Sequence, residues 1–315
     1  MIILDHSEQI AYDSKSIVTL GTFDGVHLGH RQLINKLVDI GNKEKLRKIL
    51  ITMHPHPQSV INRVNKPLIK LLTTIDERVE LLKNHDLDII YILEFTPEIA
   101  EMTAKEFMID FIFNKIGFSK ILIGHDHSFG KNREGNKSVL DALARQHNFN
   151  VIQYSAYSKD DTIISSSKIR NYLLQKDIEK ANELLGYPYK ITGKVFHGDN
   201  RGEKIGFPTA NISKEFDNKL LPANGVYFVT SIIEEKLYYG MANIGIRPTV
   251  TDSNQIRIEV HYFGINRHLY DEKITVNFHR YIRDERKFNS LDDLVNQLKH
   301  DKDTCQKIIQ EINHK

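Results

Sequence analysis

The 315-residue sequence predicts an α/β domain built on a parallel sheet, followed by an antiparallel β-barrel with a C-terminal helix. Three observations carry this. From residue 17 to about 154, short apolar runs alternate with stretches of helical periodicity, as in a sheet covered on both faces with its ligand crevice at the carboxyl ends of the strands. From 191 to about 278, short strands are separated by Gly, Asn and Pro turns with little helical spacing, which argues for a barrel. From 291 to 312, Leu291, Leu294, Val295, Leu298, Ile308 and Ile312 recur as on one or two amphipathic helices. The grammar changes at Gly186-Tyr187-Pro188, which divides residues 1–186 from residues 187–315.

In the first domain, strands are expected at 17–20, 48–53, 88–93, 120–124 and 150–154, each rich in Ile, Leu or Val. Helices are expected between them at 28–40, 74–84, 103–115 and 138–146, with a helical pair at 167–175 and 177–185. In the first helix Leu33, Ile34, Leu37 and Val38 share a face, and Gly41 follows where a left-handed residue would end it. Hydrophobic residues at 40% and charged residues at 27% fit a globular protein. Lys and Arg number 43 against 41 Asp and Glu, so nothing calls for nucleic acid or an anionic membrane as partner. Cys305 is the only cysteine, which excludes an internal disulfide and fits a reducing, cytoplasmic setting. Residues 1–11 lack the charge and apolar order of a signal peptide, and no apolar run approaches the ~20 residues of a membrane span.

The most informative stretch is Gly21-Thr22-Phe23-Asp24-Gly25-Val26-His27-Leu28-Gly29-His30, directly after the first strand. It is a strand, a glycine turn and a helix start. The free N–H groups of a helix N-terminus attract an anion. Gly21, Gly25 and Gly29 let a phosphate approach the main chain, and His27 and His30 share a face of the first turn. Two imidazoles there can donate to oxygens that gain charge during phosphoryl or nucleotidyl transfer. Neither G-x-x-x-x-G-K-[ST] nor G-x-G-x-x-G occurs to offer another nucleotide site. After the second strand, His54-Pro55-His56-Pro57 stiffens the chain so that His56 can point into the crevice. Gly124-His125-Asp126-His127-Ser128-Phe129-Gly130 follows the fourth strand. In Ile164-Ser165-Ser166-Ser167-Lys168-Ile169-Arg170 the hydroxyls cap a helix and, with Arg170, form an anion clamp; both readings can hold at once.

In the second half, Gly198, Gly202 and Gly206 precede Phe207-Pro208-Thr209-Ala210-Asn211-Ile212. Thr209 and Asn211 lie two apart, on one face of an extended chain; taken alone Thr-Ala-Asn would more often be a turn, but within Gly-Phe-Pro-Thr-Ala-Asn their hard oxygens suit a hard cation such as Mg²⁺. Glu259 and His261 likewise share a strand face, and Arg283-Asp284-Glu285-Arg286-Lys287-Phe288 ends the barrel region.

Taken in order from about residue 18 to 288, these motifs resemble those of the bacterial bifunctional riboflavin kinase/FAD synthetase family, within the wider HxGH nucleotidyltransferases. The resemblance implies a Rossmann-like HxGH nucleotidyltransferase domain followed by an antiparallel riboflavin kinase barrel. It implies ATP, riboflavin and FMN as partners, with FMN and FAD as products. His27 and His30 would stabilise the transferring phosphorus. Gly21, Phe23, Asp24, Gly29, Ser165, Ser166 and Arg170 would hold ATP, with Asp24 also shaping the turn; His56, Asp126 and Phe129 would meet the flavin. In the barrel, Gly198, Gly202, Gly206 and Arg283 would bind ATP or flavin, and Glu259 would take the proton of the riboflavin 5′-hydroxyl. The chain departs from the family pattern at His127, where Phe is usual, and at Ser167, Glu203 and Asp271. An alternative keeps the kinase and weakens the adenylyl step. Oligomeric state is not encoded in these motifs.

Overall fold

A computed structural model describes residues 1–61, 67–155, 157–159, 162–198, 201–213, 218–247 and 255–313. Its contacts divide the chain into two compact units, Met1–Ser166 and Ser167–Lys315.

The first unit holds a six-stranded sheet of β1 (Ile2–Asp5), β2 (Ser16–Gly21), β3 (Arg47–His54), β4 (Ile89–Glu94), β5 (Lys120–Ile123) and β6 (Asn150–Gln153), in the order β1-β4-β3-β2-β5-β6. Every pairing is parallel. The chain steps from β2 to β3 and β4 on one side, then returns to place β5 on the other side of β2. That switch point opens a crevice beyond the carboxyl end of β2, where Gly21 begins the glycine turn. Alternation of side chains builds two cores. Val18, Leu20, Ile49, Ile51, Ile121 and Ile123 face one side with Phe107, Met108 and Ile112. Ile17, Leu50, Ile90 and Leu122 face the other with Leu33, Ile34 and Leu37. The edge strand β1 has no counterpart in the sequence expectation, because it is short and largely exposed and so carries no core pattern.

Helix α1 spans Leu28–Glu44 and ends at Lys45, whose φ is 53°. Gly41 is therefore not its stop. It lies inside the helix because a Cβ there would come within 2.4 Å of the Lys48 side chain, which crosses this face to reach Asn42 and Asp86. The short α2 (Pro57–Val60), α3 (Ile75–Leu82) and α4 (Pro97–Glu101) follow. The helix expected at 103–115 is a π-helical turn, Glu106–Phe113, that runs into α5 (Asn114–Ile116). Then come α6 (Lys137–His147) and the small hairpin of β7 (Ser158–Lys159) and β8 (Thr162–Ile163).

In the second unit, β9 (Tyr189–Phe196), β10 (Ala210–Ile212), β11 (Gly225–Ile233), β12 (Lys236–Arg247), β13 (Gln255–Tyr262) and β14 (Lys273–Arg283) close an antiparallel barrel in the order β10-β13-β12-β11-β14-β9. Two helices precede it, α7 (Ser166–Leu174) and α8 (Ile178–Leu185). The sequence grammar divides the chain at 186, whereas contacts divide it between Ser166 and Ser167. The reason is Asn182, which donates to Phe278 O at 2.8 Å and accepts from Tyr189 N at 2.7 Å, tying α8 to the barrel. After the one-turn α9 (Arg201–Lys204) within the barrel, α10 (Leu291–Asn313) closes the chain as one helix. Its Cys305 and Ile308 pack with Phe207, Phe228 and Met241.

Candidate active sites

The corner after β2 is built by its own backbone. Phe23 and Val26 take positive φ of 46° and 34°, and Gly25 takes 84°, so the chain turns sharply enough to start α1 at Leu28. His27 is the N-cap, and its Nδ1 accepts from the His30 backbone N–H at 3.2 Å. That bond places the His27 proton on Nε2 as a donor. The two imidazoles stack at 3.6 Å with planes 14° apart, and Phe23 meets His30 edge-on at 5.3 Å. Burial first, then the fields of His27 and Arg78, hold His30 well below the ordinary histidine range, so it is neutral. Its Nδ1 is sealed from solvent without a hydrogen-bond partner. Gly21 ends β2 and Gly29 lies beside the His27 ring.

Asp24 is fully buried, and its carboxylate accepts from Leu72 N, Thr73 N and Thr73 Oγ1, while Thr73 Oγ1 accepts from Gly25 N. Expected among the phosphate-binding residues, it acts on the turn, because a carboxylate so occupied and buried is not presented to a phosphate. Ser166 Oγ donates to Asp24 O at 2.9 Å, so the serine segment is fastened to the corner. Ser165 precedes it, and Arg170 stands one helical turn beyond Ser166 on α7.

The residues expected at the flavin divide. His56 is the N-cap of α2, and its Nδ1 accepts from Gln58 N. The Asp126 side chain is 82% exposed. Phe129 is only 5% exposed and lies in the core, against Phe107, because its bridge to Gly135 turns the ring inward. Over it lies His127, tilted at 5.7 Å, with Nε2 buried and unpartnered.

In the barrel, a cavity of about 950 Å³ is lined by Gly202, Thr209, Asn211, Asn243, Glu259, His261 and Arg283, among others. Strand register sets Glu259 opposite Asn211 on one side and Asn243 on the other, so three polar side chains form a row across β10, β13 and β12. A Cβ on Gly198 would come within 2.2 Å of the Asn211 amide, so only glycine leaves that amide its place. His261 Nδ1 pairs with Pro208 O at 2.8 Å and fixes the chain just before Thr209. Gly202 and Gly206 shape the turn into Phe207, whose N–H reaches Gly202 O at 2.8 Å, and Gly206 is exposed. Arg283 lines the cavity, yet its guanidinium forks onto Asp301 of α10 through Nε at 2.9 Å and Nη2 at 2.7 Å. Its first effect is to pin that helix. The Arg201 side chain and Pro248-Thr249 lie outside the described residues. Among the described residues no group of three or more His, Cys, Asp or Glu could hold a metal ion.

Sequence reasoning missed Arg78, which is fully buried near the paired histidines, and strand register adds Asn243 to the Glu259 row. The signal for Arg78 was its place on the apolar face of a helix, between Ile75 and Leu82.

A parallel sheet with a paired-histidine helix start, together with a closed barrel holding an Asn-Glu-Asn row, defines a nucleotidyltransferase domain joined to a small-molecule kinase domain. Residues 9–168 match the FAD synthetase family and residues 185–309 the riboflavin kinase family. The chain is 40% identical over 293 residues to the bifunctional riboflavin kinase/FMN adenylyltransferase of Buchnera aphidicola subsp. Schizaphis graminum (strain Sg), covering 92% of each. Proteins of the same name match from Bacillus subtilis (strain 168), at 35% over 92% of this chain and 91% of that one, and from Escherichia coli (strain K12), at 33% over 95% of each. The chain belongs to the bifunctional riboflavin kinase/FMN adenylyltransferase family. A solved structure from Streptococcus pneumoniae, described as a macrolide-efflux protein, shares the fold with a TM-score of 0.87 at 32% identity, over 97% of this chain and 99% of that one. Among the described residues, no helix is long and apolar enough to cross a membrane.

Proposed function

We infer that this chain carries out both reactions of its family. In the barrel, riboflavin and ATP give FMN and ADP; in the first unit, FMN and ATP give FAD and pyrophosphate. The observation that supports this best is the presence of two separate constellations, the stacked His27–His30 pair at a helix start and the Asn211-Glu259-Asn243 row in a cavity.

In adenylyl transfer, an oxygen of the FMN phosphate attacks the α-phosphorus of ATP, and the bond to the β-phosphate oxygen breaks. The nucleophile is already ionised, so no general base is needed. The N-terminus of α1 and the His27 Nε2 donor face the charge that gathers on the transferring phosphoryl oxygens. Ser165, Ser166 and Arg170 hold the triphosphate. His56 and Asp126 stand on the flavin side, whereas Phe129 supports that side from the core. In the kinase, Glu259 takes the proton of the riboflavin 5′-hydroxyl as its oxygen attacks the γ-phosphorus. Asn211 and Asn243 flank Glu259 in register, and the Asn243 amide donates to Glu285 Oε1 at 3.4 Å. The oxygens of Thr209 and Asn211 fit Mg²⁺ arriving with the nucleotide, in a cradle that a Cβ at Gly198 would fill. Such an ion supplies charge neutralisation of the ATP phosphates. We place the protein in the cytoplasm, consistent with its single, buried cysteine.

The test is product analysis with Mg²⁺ and ATP, supplying either riboflavin or FMN. Wild type forms FMN and FAD. Glu259→Ala is expected to lose FMN formation while still converting added FMN to FAD, and His30→Ala to do the reverse, each by at least about 100-fold. Loss of both activities in either folded variant overturns the assignment of separate sites.

A further inference from the structure

Arg78 heads the largest side chains that are fully buried. It belongs to α3, where Ile75, Val79 and Leu82 mark the inward face at helical spacing. Its Nη1 donates to Thr52 Oγ1 and to Met53 O, each at 3.0 Å. Thr52 is the register partner of Gly21, and its Oγ1 donates onward to Thr22 O at 3.1 Å. The guanidinium is thus fastened to the end of β3 and, through one hydroxyl, to the turn that carries His27 and His30.

The other two nitrogens, Nε and Nη2, are buried with no hydrogen-bond partner. No carboxylate among the described residues forms an ion pair with Arg78. Asp24 lies within its field but turns its carboxylate to the amides of Leu72 and Thr73. Burial lowers the Arg78 pKa and Asp24 opposes this, and an arginine so placed stays protonated. A buried cation with no direct ion pair and two unpartnered nitrogens is costly to keep unless the site has a use for the charge. In surroundings of low dielectric its field reaches further than it would in water.

We propose that Arg78 is the fixed positive charge of the adenylyl-transfer corner, a positioning residue that is anchored by Thr52 and Met53 and whose charge favours the phosphate anions that meet beside His30. This rests on the assignment of that corner to FMN adenylylation. The anions it favours are the FMN phosphate and the α-phosphate of ATP. Negative charge on the oxygens of the transferring phosphorus is greatest in the transition state, so the effect falls more on kcat than on KM.

The experiment uses the full-length chain with FMN, ATP and Mg²⁺, and compares wild type with Arg78→Met, Arg78→Lys and His30→Ala. Arg78→Met removes the charge at similar volume and is expected to lower kcat for FAD formation by about 30-fold or more with KM for ATP moving less than about threefold. Arg78→Lys keeps the charge but not the planar fork and is expected to recover most of the loss. Riboflavin phosphorylation, which belongs to the other unit, is expected to be unaltered in both Arg78 variants. Full activity in Arg78→Met overturns the proposal. Equal loss in the Met and Lys variants also overturns it, since the role would then be the geometry of two hydrogen bonds. Should Arg78→Met fail to fold, Arg78→Lys decides alone: near-wild-type activity supports the charge and a loss as deep as that of His30→Ala sinks it. Unchanged FAD formation in His30→Ala would instead remove the corner assignment itself, an outcome separate from the Arg78 result.

Discussion

Burial lowers the His127 pKa to about 4, with Asp126 raising it and Arg133 lowering it by smaller amounts. In the unfolded chain the same imidazole titrates near 6.5. Between those values the unfolded state binds the proton and the folded state does not, so stability falls as pH drops from about 6.5 toward 4. At pH 5 the contribution is about 2 kcal/mol. His127→Phe, which restores the ring usual in the family, is expected to flatten this dependence. Thermal melts at pH 7 and pH 5 check it, and equal losses in wild type and variant would refute it. The same scale explains what the sequence could and could not reveal. His27, His30, Thr209, Asn211 and Glu259 stand in contiguous motifs whose chemistry is local. Arg78 acquires its meaning only from register, Thr52 against Gly21, which no linear spacing displays, and register is also what sets Asn243 beside Glu259. Asp24 stands in the most telling motif of the chain, yet its carboxylate faces residues 48 and 49 positions away, a destination the motif does not record.

Among the elements, α1 was legible as a helix because Leu33, Ile34 and Leu37 recur on one face and are buried there. Its length was not, because Gly41 reads as a stop until Lys48 is known to lie across it. That contact makes a prediction against propensity. Glycine to alanine inside an exposed helix gains about 1 kcal/mol. At Gly41 a Cβ would lie 2.4 Å from Lys48 Cγ and 2.9 Å from Cδ. The lysine cannot simply swing away, since its Nζ is held by Asn42 Oδ1 at 2.9 Å and Asp86 Oδ2 at 2.8 Å. Gly41→Ala is therefore expected to destabilise the first unit by about 1–2 kcal/mol, read from chemical denaturation. A gain in stability would show that the lysine stem yields freely. A similar limit applies to the stretch 106–113, where the apolar residues announce a helix but not its wider π-helical pitch. The edge strand β1 left no trace for the opposite reason, since most of its residues face solvent.

At the scale of the whole chain, the two grammars separated a parallel sheet from an antiparallel barrel correctly, and the helical pair between them is where sequence pattern and contacts part. Helices α7 and α8 look like the end of the alternating half. Beyond Ser166, the bonds of this pair run to the barrel region: Asn182 to Phe278 and Tyr189, Glu179 to Arg280 at 3.0 Å, and Leu173 O to the N–H of Ala223 at 3.1 Å. We therefore place the physical boundary of the kinase unit at 167 rather than 187. A fragment of residues 187–315 would leave the Phe278 carbonyl and the Tyr189 amide without Asn182, each worth about 1–3 kcal/mol when buried and unpaired. It would also strip away α8, whose Ile178, Ala181, Leu184 and Leu185 are buried. A fragment of residues 167–315 keeps all of these, with Glu259, Thr209 and Asn211 in their register. The longer fragment is expected to melt cooperatively and phosphorylate riboflavin, and the shorter one to melt at least about 10 °C lower or to aggregate, since a loss of 1 kcal/mol moves the midpoint of a domain this size by about 2–8 °C. Equal melting temperatures and equal kinase rates for the two fragments would return the boundary to the glycine at 186.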